Sequence, residues 1–300
     1  MSTAKAPETF ESVAERLIAI SITKPHLSET FVPWEMPLDA HHKLMPESLL
    51  SLYGHELFDT LTKGQQRELA RAEVVQVMQS YAWSEAMACL FFNRHLLTLQ
   101  TASVEHRFLL RELIEEFRHQ EMFARAITTL NGRPLPQSRL HQIWGRITVE
   151  YFPADILFMS ILGIELASDA YGKALQKSSD IYPVLAKVAE LHSIEEGRHI
   201  VYTQWWLKRY TENAGWLRRS FYSLLVCMNI RFMRTLYVRK EIFERMGVTD
   251  PERYAAAAEK GLREKFGANA LDEAIKFVQS FNGFNAITKI VWRRILNAAV

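Results

Sequence analysis

The chain has 300 residues, 48% of them hydrophobic and 23% charged, with a formal net charge of +2; it is long enough to bury a large core, and that balance gives no ground for general nucleic-acid binding. Its two cysteines, Cys89 and Cys227, cannot build a disulfide framework, so a reducing cytoplasm is the expected setting. The polar stretch Met1–Glu11 lacks the apolar centre of a signal peptide, and no uncharged apolar run spans a bilayer, Ile156–Ala167 being interrupted by Glu165.

Low glycine, few alternating runs and abundant Leu, Ala, Glu and Arg predict an all-α protein. Phe10, Val13, Ala14, Leu17 and Ile18 follow the spacing of a short amphipathic helix. From Ser21 to Ser48 the prolines 25, 33, 37 and 46 favour an extended run over the surface, with Trp34 as an anchor. A short helical piece is expected at Ser48–Tyr53. Thr62 and Gln65 then fit a capping box that opens a long helix with no breaker before Leu99. Gln100–Ser103 signals a turn, and a second helix runs to about Leu130, where Asn131-Gly132-Arg133-Pro134 stops it. A connection of about twenty residues follows, with local helix around Leu140–Arg146. A third helix spans about Pro153–Gln176, a turn falls at Lys177–Asp180, and a fourth helix reaches about Tyr210. Trp216–Arg245 reads as a fifth helix, and Pro251 opens shorter ones. These divisions suggest a single domain over 1–300: an N-terminal arm at 1–60, a bundle at about 62–212 and C-terminal helices at about 215–300.

Potential metal ligands concentrate on the four long helices. On the fourth, each residue advances about 100°, so His192, Glu196 and His199 fall within an arc of roughly 60°. Glu116 and His119 form a second Glu-x-x-His on the second helix, while Glu85 and Glu165 sit in apolar stretches of the first and third. A carboxylate on an apolar face costs several kcal/mol unless a cation lies opposite. Glu85 and Glu116 are 31 residues apart, as are Glu165 and Glu196. The midpoints of both intervals fall at the turn signals, near residues 100 and 180, so two antiparallel hairpins bring their carboxylates level as an internal pseudo-repeat. One Glu from each of two helices plus Glu-x-x-His from the other two is the dimetal arrangement of ferritin-like bundles, and the long connection between helices two and three is the crossover that topology needs. Such ligands suit iron, with manganese also admissible, better than structural zinc. His192 lies one turn before Glu196 and is either a third imidazole ligand or a core histidine.

His192-x-x-x-Glu196-x-x-His199 with Glu85, Glu116-x-x-His119 and Glu165 resembles the p-aminobenzoate N-oxygenase (arylamine N-oxygenase) family of diiron proteins, over about Trp34–Tyr210. The resemblance implies a ferritin-like four-helix bundle with a long crossover and additional C-terminal helices. It also implies two iron ions held by Glu85, Glu116, His119, Glu165, His192, Glu196 and His199. The chemistry it implies uses O2 and an external electron donor, passing through a peroxo-diferric species that oxidises an aromatic amine toward hydroxylamine, nitroso or nitro. A diiron hydroxylase or desaturase acting on carbon is the alternative enzyme. A ferroxidase is less favoured, because about ninety residues follow the fourth helix.

Asp169, Glu195 and Tyr81 are candidates for supporting the ligands from behind, although Glu115 and Glu195 read first as an exposed face. Tyr171 and Tyr202 lie near ligands in sequence, with core packing as the default reading. The remaining histidines show no shared spacing. The fifth helix carries Arg218, Arg219, Arg231, Arg234, Arg239, Lys240 and Arg245 among apolar residues. It is expected to pack across the bundle or a homodimer interface, with peripheral membrane or acyl-carrier contact as the other reading. The expected partners are a small-molecule substrate and the electron donor.

Overall fold

The computed structural model describes the backbone of residues 8–178, 180–269 and 271–300, and the side chains of all of these except 266–269. Residues 1–7 of the polar start and Ser179 of the second predicted turn lie outside the described residues. The helices in order are α1 (Phe10–Thr23), α2 (Ser28–Phe31), α3 (Glu56–Asp59), α4 (Lys63–Leu96), α5 (Val104–Thr129), α6 (Arg139–Tyr151) and α7 (Ala154–Gln176). They continue with α8 (Pro183–Thr211), α9 (Trp216–Tyr237), α10 (Lys240–Arg245), α11 (Pro251–Asn269), α12 (Asp272–Ser280) and α13 (Ala286–Leu296). Among the described residues there is no strand, only an isolated bridge between Lys43 and Ile181.

The four long helices start and stop where local chemistry dictates. Thr62 and Gln65 satisfy each other's backbone in a capping box at the start of α4. The Ser103 side chain caps α5 through the His106 amide, and Pro183 occupies the first turn of α8, where no N–H is needed. At the end of α5, Asn131 adopts a left-handed φ of 49°. The Gly132 amide then closes on the Ile127 carbonyl, with no room for a Cβ beside Val75. Hairpin α4/α5 packs beside hairpin α7/α8, and the crossover between them carries α6 across α4.

The remaining helices wrap this bundle. α1 lies against α5 and α8, and α9 crosses α7 and α4 with α13 packed on it. Several basic residues of α9 and α10 are engaged within the chain. Arg218 reaches Asp155 at 2.8 Å, buried Arg234 donates to the Ile295 carbonyl at 3.3 Å, and Arg245 donates to the Arg133 carbonyl at 2.7 Å. Trp34 is buried as expected, its indole donating to the Ser28 carbonyl and its face covered by the Arg125 guanidinium.

Two local expectations are corrected. Ser48–Tyr53 forms turns, and the helical piece falls later, at Glu56–Asp59. The reason lies in α4: the buried Glu73 carboxylate accepts both the amide and the hydroxyl of Ser51, drawing that backbone out of a helical ladder. The expected fifth helix at Trp216–Arg245 is broken at Val238 and Arg239, which are both extended. Arg239 there donates to the Pro136 carbonyl and to Glu241, tying the break to the crossover.

The arm and the C-terminal helices clasp each other through α11. Lys265 donates to the carbonyls of Leu50, Ser51 and Tyr53, and a Cβ on Gly261 would run into the Ser51 carbonyl oxygen. Gly261→Ala is therefore expected to destabilise the fold by about 1–3 kcal/mol. Urea denaturation would check this; a wild-type midpoint for the variant would mean that the approach of α11 to the arm is looser than described.

Candidate metal centre

Each long helix delivers a buried carboxylate to a shared interior: Glu85 from α4, Glu116 from α5, Glu165 from α7 and Glu196 from α8. α5 adds His119 and Glu112, and α8 adds His199 and His192, all at most 3% exposed. The donor atoms gather into two groups. Glu85, His119, His192 and Glu196 form one, and Glu112, Glu116, Glu165 and His199 the other, the atoms of each group lying within 4.8 Å of one another.

The imidazoles join these groups. His192 Nε2 stands 3.1 Å from Glu85 and 3.2 Å from Glu196. His119 Nδ1 faces Glu196 at 3.6 Å and Glu85 at 3.7 Å, while His199 Nδ1 faces Glu116 at 3.2 Å and Glu196 at 3.6 Å. The opposite ring nitrogens of His119 and His199 point away from the cluster. His119 Nε2 meets Glu195 at 2.9 Å, and His199 Nε2 meets Glu115 at 3.0 Å. A carboxylate on the far nitrogen fixes ring orientation and leaves Nδ1 as the inward donor. Arg118 holds Glu195 at 2.9 Å and Arg198 holds Glu115 at 2.8 Å. Ser21 of α1 donates to Glu115 as well, at 2.5 Å, so the first helix backs the site.

Five carboxylates and three imidazoles thus share a buried space, and among the described residues no Lys or Arg pairs with any of the five. The electrostatics follow. Burial and the neighbouring Glu116 push the Glu85 carboxyl up to about 7. Burial, with Glu116, Glu196 and Glu115 adding to it, pushes Glu112 up to about 8. Burial and Glu196 raise Glu165 well above the carboxylate range. Glu196 goes the other way: burial would raise it, but His192 and His199 outweigh burial and hold it well below. Burial opposes charge on His192, yet Glu196 and Glu85 lift it to about 10. Glu115, where His199, Ser21 and Arg198 overcome burial, falls to about 2.

The donor set fits two metal ions. Both oxygens of Glu112 and of Glu165 lack a hydrogen-bond partner, as do one oxygen each of Glu85, Glu116 and Glu196 and the Nδ1 atoms of His119 and His199. Buried polar atoms without partners are rare in native proteins. Here they converge, and two divalent cations would satisfy them together.

All seven residues expected as ligands are brought together. Glu112 was missed, since a glutamate one turn before another ordinarily reads as a solvated helix face. Glu115 and Glu195, read first as exposed, are buried and bonded to the histidines. A signal for them exists in the sequence: Ile114-Glu115-Glu116-Phe117-Arg118-His119 and Ile194-Glu195-Glu196-Gly197-Arg198-His199 share all but one position at an offset of 80, and the same offset carries Glu112 onto His192. Tyr81 stacks on His192, ring centroids 5.6 Å apart. Asp169 instead holds Lys173 at 2.5 Å, one turn further along α7. Tyr171 and Tyr202 are buried in the core, Tyr202 stacked on Phe108.

A sequence model of the family described as P-aminobenzoate N-oxygenase AurF matches residues 7–281. Uncharacterized proteins of Mycobacterium tuberculosis and Mycobacterium bovis are 20% identical over 284 residues, covering 88% of this chain and 80% of theirs. Among solved structures, an R2-like ligand-binding oxidase mutant with an aerobically reconstituted Mn/Fe cofactor shares the fold. Its TM-score is 0.50 at 15% identity, over 94% of this chain and 96% of that one.

The carboxylates behind the histidines give a direct test. Glu115→Gln and Glu195→Gln should each keep the helical fold but weaken metal binding about 10–100-fold. Competition with a chromophoric chelator measures this; unaltered affinity in both variants would mean that the inward face of each ring is set by packing alone.

Proposed function

The chain belongs to the P-aminobenzoate N-oxygenase AurF family and is an oxygen-dependent diiron oxidoreductase, and from that premise we propose that it oxygenates the nitrogen of an amine. The observation that carries the dimetal centre is the convergence of unpartnered carboxylate and imidazole donors in two buried groups, and the family match supports nitrogen as the atom oxidised. On this reading Glu85, His119, His192 and Glu196 hold one metal and Glu112, Glu116, Glu165 and His199 the other, with Glu116 and Glu196 near both. A carboxylate-rich set suits iron and manganese alike, and the structurally similar oxidase carries both metals. Two such metals supply the redox and Lewis-acid chemistry for reducing O2. For a hydroxylamine product, one oxygen atom goes to nitrogen and the other leaves as water, with two electrons from an external donor.

The chain's own residues have defined parts in this. Glu115 and Glu195 fix the rings of His199 and His119, and Arg198 and Arg118 pair with those two carboxylates from behind. Tyr81, stacked on His192, closes the site with Phe123 and Tyr171 behind it. Glu85, Glu116, Glu165, His192 and Glu196 line a cavity of about 30 Å³, the space toward which the donors of both groups face.

Two outcomes are expected. The protein should bind two ferrous ions per chain under anaerobic conditions. His192→Ala should weaken one of them and Glu112→Ala the other, each by tenfold or more; unchanged stoichiometry and affinity in Glu112→Ala would remove that residue from the ligand set. After 18O2 is added to the iron-loaded protein with an arylamine, mass spectrometry should find 18O on nitrogen. Label on carbon, or loss of two hydrogens without label, would replace N-oxygenation with hydroxylation or desaturation.

A further inference from the structure

Next to the small cavity lies a larger one, of about 410 Å³, which fits a one- or two-ring molecule. The two share Ser84, Ala88, Ile161 and Ile164 as a common wall, so small and aliphatic side chains stand between a ligand in the larger one and the carboxylates. Its roof is α6, the crossover helix, none of whose residues is buried. Gly145 sits there against Trp83 and Met87, with a Cβ at that position only 3.1 Å from each. Arg94 of α4 pins the end of α6 by donating to the carbonyls of Glu150 and Phe152.

The lining is aromatic and aliphatic, with Trp83, Phe91, Trp144, Phe152 and Phe232 among its largest members, and it contains no Asp, Glu, Lys, Arg or His. Its polar side chains are largely used: Ser84, Thr148, Ser160 and Asn229 each donate to a carbonyl of their own helix, which leaves Asn229 one further N–H and its amide oxygen. Basic side chains touch lining residues from outside, among them His95, which stacks on Phe91 and is bonded to Glu105. Arg94 lies over Phe91 but spends its donors on the two carbonyls, and His141 packs edge-on against Phe232. A carboxylate placed against these aromatic and aliphatic walls would shed part of its water and find no countercharge in the lining, which disfavours it.

We infer that the chamber binds an uncharged, largely apolar aromatic amine and rejects amines that carry a carboxylate. The family's description names an aminobenzoate, so this chain would have turned the same centre toward neutral substrates. The amine group and its fate rest on the N-oxygenase reading, whereas the preference for an uncharged aromatic ligand rests on the lining and is tested by binding alone.

The test is equilibrium dialysis of the iron-loaded protein with three probes of matched length: 4-butylaniline, 4-(4-aminophenyl)butanamide and 4-(4-aminophenyl)butanoate. Both neutral probes should bind at least about tenfold more tightly than the carboxylate, the amide serving to separate charge from simple apolarity. Leu225→Trp, which fills the chamber from α9, should abolish binding while two irons per chain remain. Met228→Arg, at a half-exposed lining position, should restore binding of the carboxylate alone. Equal or tighter binding of the carboxylate by the unaltered protein, absence of binding by all three probes, or binding that survives Leu225→Trp would overturn the inference. Selective binding without N-oxidation would leave the chamber standing and remove the N-oxygenase reading instead.

Discussion

Five carboxylates cannot share the inside of a helical bundle without cations, and that constraint organises the protein. Glu85, Glu112, Glu116, Glu165 and Glu196 are all buried, and among the described residues no Lys or Arg pairs with them. The strain is visible in the opposed behaviour of neighbours. Burial drives Glu85, Glu112 and Glu165 toward their neutral forms, while the histidines keep Glu196 ionised. A chain that tolerates this arrangement has kept it for what the two groups of donors hold, because well-packed apolar residues would serve stability better.

The second organising fact is the repeat. Each half contributes a helix with one carboxylate in the donor cluster and a helix with the Ile-Glu-Glu-x-Arg-His segment. The support is exchanged between halves: Glu115 orients the histidine of the other hairpin, and Glu195 returns the arrangement. Neither hairpin can therefore complete its own histidine. The one place where the halves differ in ligand chemistry is the offset pair Glu112 and His192, which gives one group an extra carboxylate and the other an extra imidazole. Two metals in these surroundings would feel different charge, an asymmetry suited to ions with unequal roles.

Much of this was legible in the residues because metal chemistry demands specific side chains at specific helical spacings. Six of the expected ligands followed from Glu-x-x-His and two equal intervals centred on independent turn signals, while His192 joined them through its place one turn before Glu196 and the family resemblance. What was not legible depends on distant contacts or on ambiguous signals. Adjacent acids such as Glu115-Glu116 look like a solvated face until a histidine is placed beside each. Ser21 reaches Glu115 across 94 positions of sequence, a contact no local pattern encodes. The break at Val238–Arg239 has no proline or glycine to announce it; there Arg239 finds one acceptor on the crossover, the Pro136 carbonyl, and a second in Glu241 of α10. The chamber beneath α6 was hidden for the same reason, being assembled from four helices whose apolar residues read only as core.

The most direct test of the central claim is a crystal structure of the iron-loaded protein with anomalous data at the iron edge. The account predicts two peaks inside the bundle, one bounded by Glu85, His119, His192 and Glu196 and the other by Glu112, Glu116, Glu165 and His199. A single peak, or iron bound elsewhere while these carboxylates pair with protons alone, would contradict it.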